Sequence, residues 1–99
     1  MAFDAMFKPI QIGNQTIRNR VVSTAHAEVY ATDGGMTTDR YVRYYEEKAK
    51  GGCGLCICGG SSVVSIDSPQ GWWSSVNLST DRIIPHFQNL ADAVHKHGG

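Results

Sequence analysis

The sequence predicts an α/β fold, namely the first strands and helices of a (β/α)8 TIM barrel with an N-terminal β-hairpin, truncated before the third strand. Short apolar runs alternate with amphipathic helical segments, and turn residues separate the two kinds of segment. The pattern contains two strands and two helices after the hairpin, within 99 residues. A closed barrel needs about 250 residues, so we interpret residues 1–99 as one incomplete domain, the N-terminal portion of a barrel.

The chain opens with a hairpin pattern. Apolar and polar residues alternate over residues 7–12, pause at Gly13-Asn14 and resume over residues 15–17. An apolar strand is predicted over residues 21–25, and it ends at His26. The first barrel strand is therefore predicted to have a polar side chain, that of His26, at its carboxyl end.

Two amphipathic helices are predicted. The first runs from Asp39 to Lys50 with Thr38 as its N-cap, and it ends at a glycine pair. The second has Asp81 as its cap and Pro85 in its first turn. Each carries an apolar stripe that would pack against a sheet. The stripes are Tyr41, Val42, Tyr45 and Ala49 in the first helix, and Ile83, Phe87, Leu90 and Val94 in the second.

Residues 51–62 form a glycine-punctuated apolar run that predicts the second barrel strand. Apolar residues without polar alternation are typical of a strand covered on both faces. Gly59 and Gly60 at its carboxyl end remove side chains where a flat ligand could touch the main chain. Taken alone, the run is also consistent with a core strand followed by a flexible turn.

Residues 61–79 are rich in Ser, Gly and Asn and predict a long loop. Loops longer than about 12–15 residues in compact domains tend to be functional or disordered, and two tryptophans argue against disorder. Trp72 and Trp73 are candidates either for lining the substrate side or for forming part of a cation-binding aromatic wall for a methylated amine. Packing within the loop is an equally good interpretation.

Composition excludes several classes of partner. Nine Lys and Arg residues balance nine Asp and Glu residues, so we expect neither a nucleic acid nor a membrane as partner. No apolar run approaches the roughly 20 residues of a membrane span, and the N-terminus lacks the basic start of a signal peptide. We therefore expect a cytoplasmic protein.

Three cysteines, Cys53, Cys56 and Cys58, lie too close together for a disulfide framework. Strand alternation predicts Cys53 on one face and the other two on the opposite face, and a fourth zinc ligand is missing. We predict no metal site and a packing role for these thiols. The histidines of the C-terminal helix are expected to be solvated; they are His86, His95 and His97.

Several spaced motifs resemble the Old Yellow Enzyme family of FMN oxidoreductases, also described as NADH:flavin oxidoreductases. They are FKPIQIGNQTIRNRVV at residues 7–22, YYEEKAKGG at residues 44–52 followed by a strand, and LADAVHKHG at residues 90–98. The chain is most similar to the branch that holds trimethylamine dehydrogenase, 2,4-dienoyl-CoA reductase and N-methylproline demethylase. STAHAE at residues 23–28 with Tyr30, DGGM at residues 33–36 and SIDSP at residues 65–69 carry that similarity.

The resemblance implies an FMN-binding barrel whose first two strands end at the flavin. The candidate cofactor-binding residues are Thr24, Ala25, His26, Gly59 and Gly60. In trimethylamine dehydrogenase a cysteine just after the matching histidine holds the flavin covalently; here that position is Ala27, so FMN should be bound non-covalently. His26 either contacts the ring edge, orients a substrate, or is only hydrogen-bonded at a strand end.

The resemblance places the catalytic residues beyond Gly99, so none is expected in this chain. An iron–sulfur cluster is possible in a full-length parent but not in these residues. The implied partners are a small-molecule substrate, NAD(P)H or an electron-transfer partner, and an oligomer or a complementing fragment.

The predicted function is that of part of an FMN-dependent oxidoreductase acting by hydride transfer. Its substrate would be an N-methylated amine, which it demethylates, or an activated C=C bond, which it reduces. The alternative is a non-catalytic fragment or one piece of a split protein that is inactive alone. An unrelated βα binding module is a third interpretation, which the order of the motifs disfavours.

Overall fold

The computed structural model describes residues 2–60, 62–69 and 74–99. Within these ranges the chain forms an antiparallel hairpin, a pair of parallel strands and two α-helices. In chain order the elements are β1 (Ile10–Ile12), β2 (Gln15–Ile17), β3 (Val22–Ser23), α1 (Asp39–Lys50), β4 (Leu55–Cys56) and α2 (Ile84–His95). The predicted order of elements is confirmed.

The hairpin is confirmed, although it is shorter than predicted. Ile10 pairs with Ile17 and Ile12 with Gln15, and Gly13 turns the chain at φ +59°. Phe7, where the alternating pattern was predicted to begin, instead ends a 3₁₀ turn formed by Asp4–Phe7. The turn closes locally, because the Lys8 N–H donates to the Ala5 carbonyl at 3.4 Å.

The two barrel strands pair in parallel, with Val22 opposite Leu55 and Ser23 opposite Cys56. Both strands are shorter than the runs that predicted them. The last bond along the pair runs from the Ile57 N–H to the Ser23 carbonyl at 2.9 Å. Just beyond this bond, the Thr24 carbonyl accepts a hydrogen bond from the His26 ring at 3.0 Å.

Helix α1 follows its prediction closely. The Thr38 hydroxyl accepts the Tyr41 N–H at 3.2 Å, and Gly52 leaves the helix at φ +111°. The predicted apolar stripe is buried. It packs against β4 and against α2. Helix α1 also lies between β3 and β4 along the chain, so it is the connection between the two parallel strands.

Helix α2 begins one turn later than expected. A 3₁₀ turn, Asp81–Ile83, precedes it, and Pro85 lies in the first helical turn as predicted. The prediction that Asp81 caps the helix is wrong, because Asp81 lies inside the 3₁₀ turn and extended Thr80 precedes that turn. Of the predicted stripe, Ile83 and Leu90 are buried, and Phe87 and Val94 pack partly buried against the core.

The loop before α2 contributes to the core. Val63 and Asn77 form an isolated parallel bridge, and the Leu78 N–H donates to the Val63 carbonyl at 2.7 Å. The Asn77 N–H donates to the Gly35 carbonyl at 2.8 Å, which ties the loop to the turn before α1. Val63 and Val76 are both buried, although no periodicity in the sequence predicted this.

Arg18 connects three elements at the amino ends of β3 and β4. Its guanidinium donates to the carbonyls of Ala49 at 2.6 Å and Cys53 at 2.9 Å, and also to that of His97. His97 was predicted to be solvated, and this is wrong: it lies beyond α2, half-buried, with Nε2 3.7 Å from a carboxylate oxygen of Glu46. The hydrogen bond from Arg18 to the His97 carbonyl holds this residue close to α1.

Replacing Thr38 by alanine should lower the free energy of unfolding by about 1–2 kcal/mol, because it removes a helix N-cap. The same hydroxyl also donates to the Tyr30 carbonyl at 2.5 Å. Urea unfolding of the full-length protein measures the change, and Thr38→Ser, which keeps the hydroxyl, is the matched control. Equal midpoints for the alanine and serine variants would contradict the assignment.

Neither helix of the described ranges combines the length and the apolar character that crossing a bilayer requires.

Candidate functional site

The predicted cofactor residues come from two separate stretches, and the structure brings them together at the carboxyl ends of β3 and β4. Gly60, at φ +102°, lies directly on the backbone of His26 and Ala27. A Cβ atom built on Gly60 would lie 2.4 Å from the His26 carbonyl carbon and 2.6 Å from the Ala27 nitrogen. Only glycine permits this approach.

The resulting surface is open on one side. Thr24, Ala25 and His26 are exposed, Gly60 is half-buried and Gly59 is buried. A Cβ on Gly59 would meet the Ser62 hydroxyl at 3.0 Å, so both glycines have packing partners within the chain. Packing alone therefore accounts for these glycines, and contact of the five residues with a flavin stays a prediction.

His26 is held by hydrogen bonds at both ring nitrogens. Nδ1 lies 3.0 Å from the Thr24 carbonyl oxygen, and Nε2 lies 2.5 Å from the Tyr44 hydroxyl. Because a carbonyl can only accept, Nδ1 carries a hydrogen; in the neutral ring, Nε2 then accepts from Tyr44. Among the open interpretations of His26, a hydrogen-bonded strand end is the one these contacts support.

Behind the surface, Tyr45 of α1 joins both strand ends. It is 0% exposed, its hydroxyl donates to the Glu28 carboxylate, and the Gly59 N–H donates to that hydroxyl at 3.4 Å. Burial raises the pKa of the Glu28 carboxyl; the opposing effects of its backbone hydrogen bond, His26 and Lys48 are smaller. No motif in the sequence predicted this pair, and its only signal was that a buried tyrosine needs a hydrogen-bond partner.

Two more hydroxyls lie beside this pair. The hydroxyl oxygens of Tyr41 and Ser75 are buried and have no hydrogen-bond partner in the part of the chain that the structure describes. Both residues line a narrow cleft with Glu28, Gly59 and Gly60. The cleft has no space for a water molecule. Burial raises the pKa of Tyr41 well above its ordinary value, and the charges of Glu28 and Cys58 add to the rise. Tyr41 therefore stays neutral.

The substrate-side candidates Trp72 and Trp73 lie outside the described residues. The next residues along the chain, Ser74 and Ser75, are buried, and the Ser74 carbonyl accepts the Ala31 N–H at 3.1 Å. The substrate-side role of both tryptophans stays a prediction.

The cysteines are arranged differently from the prediction of opposite faces. Cys53 precedes β4, its thiol donates to the Leu55 carbonyl at 3.2 Å, and it also interacts with the Cys56 thiol. Burial raises the pKa values of Cys56 and Cys58 to about 11. Among the residues that the structure describes, no three His, Cys, Asp or Glu side chains are grouped as metal ligands.

These raised pKa values predict thiols of low reactivity. At pH 8 a thiol with a pKa of about 11 is ionised in about one molecule in a thousand, so iodoacetamide should label Cys56 and Cys58 slowly until the protein unfolds. Because folding favours the protonated thiols, stability should fall as the pH rises from 9 towards 11. Mass spectrometry of alkylated peptides measures the labelling, and rapid labelling of folded protein would contradict the prediction.

Comparison with known proteins identifies the family. The sequence profile of the NADH:flavin oxidoreductase / NADH oxidase family matches residues 5–99. The chain belongs to this family. The resemblance seen in the sequence is thereby confirmed, and so is the prediction that the fold is a partial α/β piece of a TIM barrel.

Two relatives within this family are informative. The chain is 91% identical over 99 residues to the N,N-dimethylglycine/sarcosine dehydrogenase of Chromohalobacter salexigens, covering 100% of this chain and 14% of that protein. It is 42% identical over 95 residues to the multifunctional alkene reductase/demethylase OYE of Caballeronia cordobensis, covering 96% of this chain and 14% of that protein. The chain thus spans about one seventh of the length of these relatives.

A solved structure supports the fold. The old yellow enzyme from Trypanosoma cruzi superposes with a TM-score of 0.85 at 28% identity, covering 100% of this chain and 26% of that one. The hairpin, the two parallel strands and the two helices of this family member therefore have the arrangement of an Old Yellow Enzyme barrel, without a closed barrel in the described residues.

Proposed function

We propose that these residues supply one wall of the FMN site in an oxidoreductase that acts by hydride transfer on an N-methylated amine, with N-methylated glycines as the substrate class. The observation that carries the proposal is the 91% identity, over all 99 residues, to a protein named N,N-dimethylglycine/sarcosine dehydrogenase. Family membership supports the coarser statement, a flavin-dependent oxidoreductase.

The surface at the carboxyl ends of β3 and β4 fits such a cofactor. Its exposed side chains at Thr24 and Ala25 are small, and Gly60 adds no side chain. A flat ring can therefore lie against main-chain N–H and C=O groups, which tune the electronics of a flavin. FMN, when bound, would supply the two-electron acceptor for hydride transfer.

This chain's residues would hold the group without a covalent bond. Thr24, Ala25 and His26 would lie beneath the flavin, and Gly59 and Gly60 beside it. Ala27, which stands next to His26, has no nucleophilic atom for attachment. The two nitrogens of His26 are already occupied, so its role here is to fix the backbone of the strand end.

A second candidate function is reduction of an activated C=C bond. Its support is the 42% identity to a protein whose name combines alkene reductase and demethylase. The alternative of a non-catalytic piece rests on the length of the chain alone.

The test uses the full-length protein that carries these 99 residues. We expect visible flavin absorbance, FMN release on denaturation, and anaerobic bleaching of that absorbance by N,N-dimethylglycine or sarcosine but not by glycine. Bleaching by NAD(P)H alone, followed by reoxidation with an activated enone, would instead support the second candidate. A protein that contains and binds no flavin would overturn both.

A further inference from the structure

Resting on the function proposed above, we propose that Tyr45 and Glu28 are positioning residues. They hold the two segments of the FMN-binding wall, residues 24–26 and residues 59–60, in fixed positions relative to each other. The Tyr45 hydroxyl lies between the Glu28 carboxylate, just after the first strand end, and the Gly59 N–H, at the second. Neither residue lies among the five predicted to contact the cofactor, so both act through the backbone that those residues supply.

Tyr45 is suited to this role because its hydroxyl has one fixed location. The residue is fully buried in the middle of α1. Its ring packs edge-on against the Tyr44 ring, with ring centroids 5.3 Å apart and ring planes at 87°. On another side it packs at a tilt of 49° against the Tyr41 ring, again with centroids 5.3 Å apart. Aromatic packing on two sides leaves the ring little freedom, so the polar group at its tip is a rigid reference point.

The hydrogen-bond directions are consistent with a bridge. A tyrosine hydroxyl has one hydrogen to donate, and the carboxylate of Glu28 accepts it. The oxygen lone pairs then remain available for the Gly59 N–H at 3.4 Å. A single hydroxyl thus fixes one group from each strand end.

The hydrogen bonds of Tyr45 and the close contact at Gly60 together form a closed ring of contacts. Gly59 continues into Gly60, and Gly60 packs on the backbone of His26 and Ala27, which leads on to Glu28. The ring passes through both predicted cofactor segments. A shift of either strand end would therefore have to break the hydrogen bonds at Tyr45 or open the contact at Gly60.

Backbone strain supports the same conclusion. Val29 has φ +53°, a left-handed conformation that is a true outlier for a β-branched residue. It lies between Glu28, held by Tyr45, and Tyr30, whose carbonyl accepts the Thr38 hydroxyl. Strain of this kind persists only where the surroundings determine the chain path, and here they determine the path after the first strand end.

The experiment compares Tyr45→Phe with Tyr41→Phe in the full-length protein. Both variants remove one buried hydroxyl from α1 and keep the ring, but the Tyr41 hydroxyl has no hydrogen-bond partner among the described residues. We expect Tyr45→Phe to raise the FMN dissociation constant about tenfold and to shift the visible flavin spectrum. The reason is that the two strand ends predicted to contact FMN are no longer held in fixed positions relative to each other. Tyr41→Phe should leave both unchanged.

Glu28 gives an independent arm if Tyr45→Phe fails to fold. Glu28→Gln keeps an oxygen that accepts from Tyr45 and should bind FMN nearly as the wild type does, whereas Glu28→Ala should weaken binding. FMN binding by Tyr45→Phe equal to that by Tyr41→Phe, or by Glu28→Ala equal to that by Glu28→Gln, would overturn the positioning role alone. A wild-type protein that binds no FMN would overturn the proposed function and this inference with it.

Discussion

Replacing Gly60 by alanine is expected to abolish FMN binding and to lower the free energy of unfolding by about 3 kcal/mol or more. The added Cβ would lie 2.4 to 2.8 Å from three backbone atoms of His26 and Ala27. Backbone atoms cannot move aside as a flexible side chain can, so the two strand ends must separate. FMN titration and urea unfolding of the full-length protein measure the two effects.

Gly52→Ala is the matched control for this prediction. Gly52 has φ +111°, close to the value at Gly60, but a Cβ there meets no atom of the described residues within 4 Å, apart from its own chain neighbours. The control variant therefore carries the same kind of backbone strain without the steric contact, and we expect it to keep its FMN affinity. If Gly60→Ala binds FMN as tightly as Gly52→Ala does, the close approach of the strand ends has no part in cofactor binding.

Replacing Arg18 by alanine should cost about 3–5 kcal/mol of stability while leaving the FMN-binding wall intact. The guanidinium donates to carbonyls at the end of α1, before β4 and after α2, and the variant removes this donor from all three. The Ala49 carbonyl then keeps the Gly52 N–H, at 3.0 Å. Arg18 lies at the amino ends of the strands, away from residues 24–26. Urea unfolding measures the loss.

Two further variants make the Arg18 prediction specific. Arg18→Lys keeps the charge but loses the fork of donors, so its stability should be intermediate. Arg20→Ala removes an exposed arginine two residues further along the chain and should have little effect. An unfolding midpoint for Arg18→Ala equal to that of Arg20→Ala would show that the guanidinium does not hold these elements together.

Elements with strong local signals could be predicted from the sequence. Helix α1 has a capping threonine, an apolar stripe and a terminal glycine pair, and all three act as the pattern indicated. The hairpin was also predicted from local sequence signals, and Gly13 lies at its turn. Such signals depend on neighbours within a few residues, so they can be recognised before the fold is known.

The parts that could not be predicted depend on contacts between distant stretches. Arg18 reaches three carbonyls more than 30 residues away, and the bridge between Val63 and Asn77 draws a loop into the core. Tyr45 was assigned to the core from its stripe, but its hydrogen bonds to Glu28 and Gly59 follow from the tertiary fold alone.

The residues of the predicted site could be proposed from the sequence, but the reason for its glycines could not. Its glycines were identified because a flat ligand could touch the main chain there, whereas the structure shows that they also have packing partners in His26, Ala27 and Ser62. Both requirements favour glycine, so the residue type alone could not distinguish them. A direct measurement of cofactor contact is needed to separate them.

Amide hydrogen exchange of the full-length protein, with and without FMN, makes that measurement. If residues 24–26 and 59–60 form the cofactor wall, peptides covering both segments should gain at least about tenfold protection when FMN binds, whereas the hairpin at residues 10–17 should not change. Unchanged exchange in both segments, in a protein shown to bind FMN, would contradict the assignment of these strand ends to the flavin site.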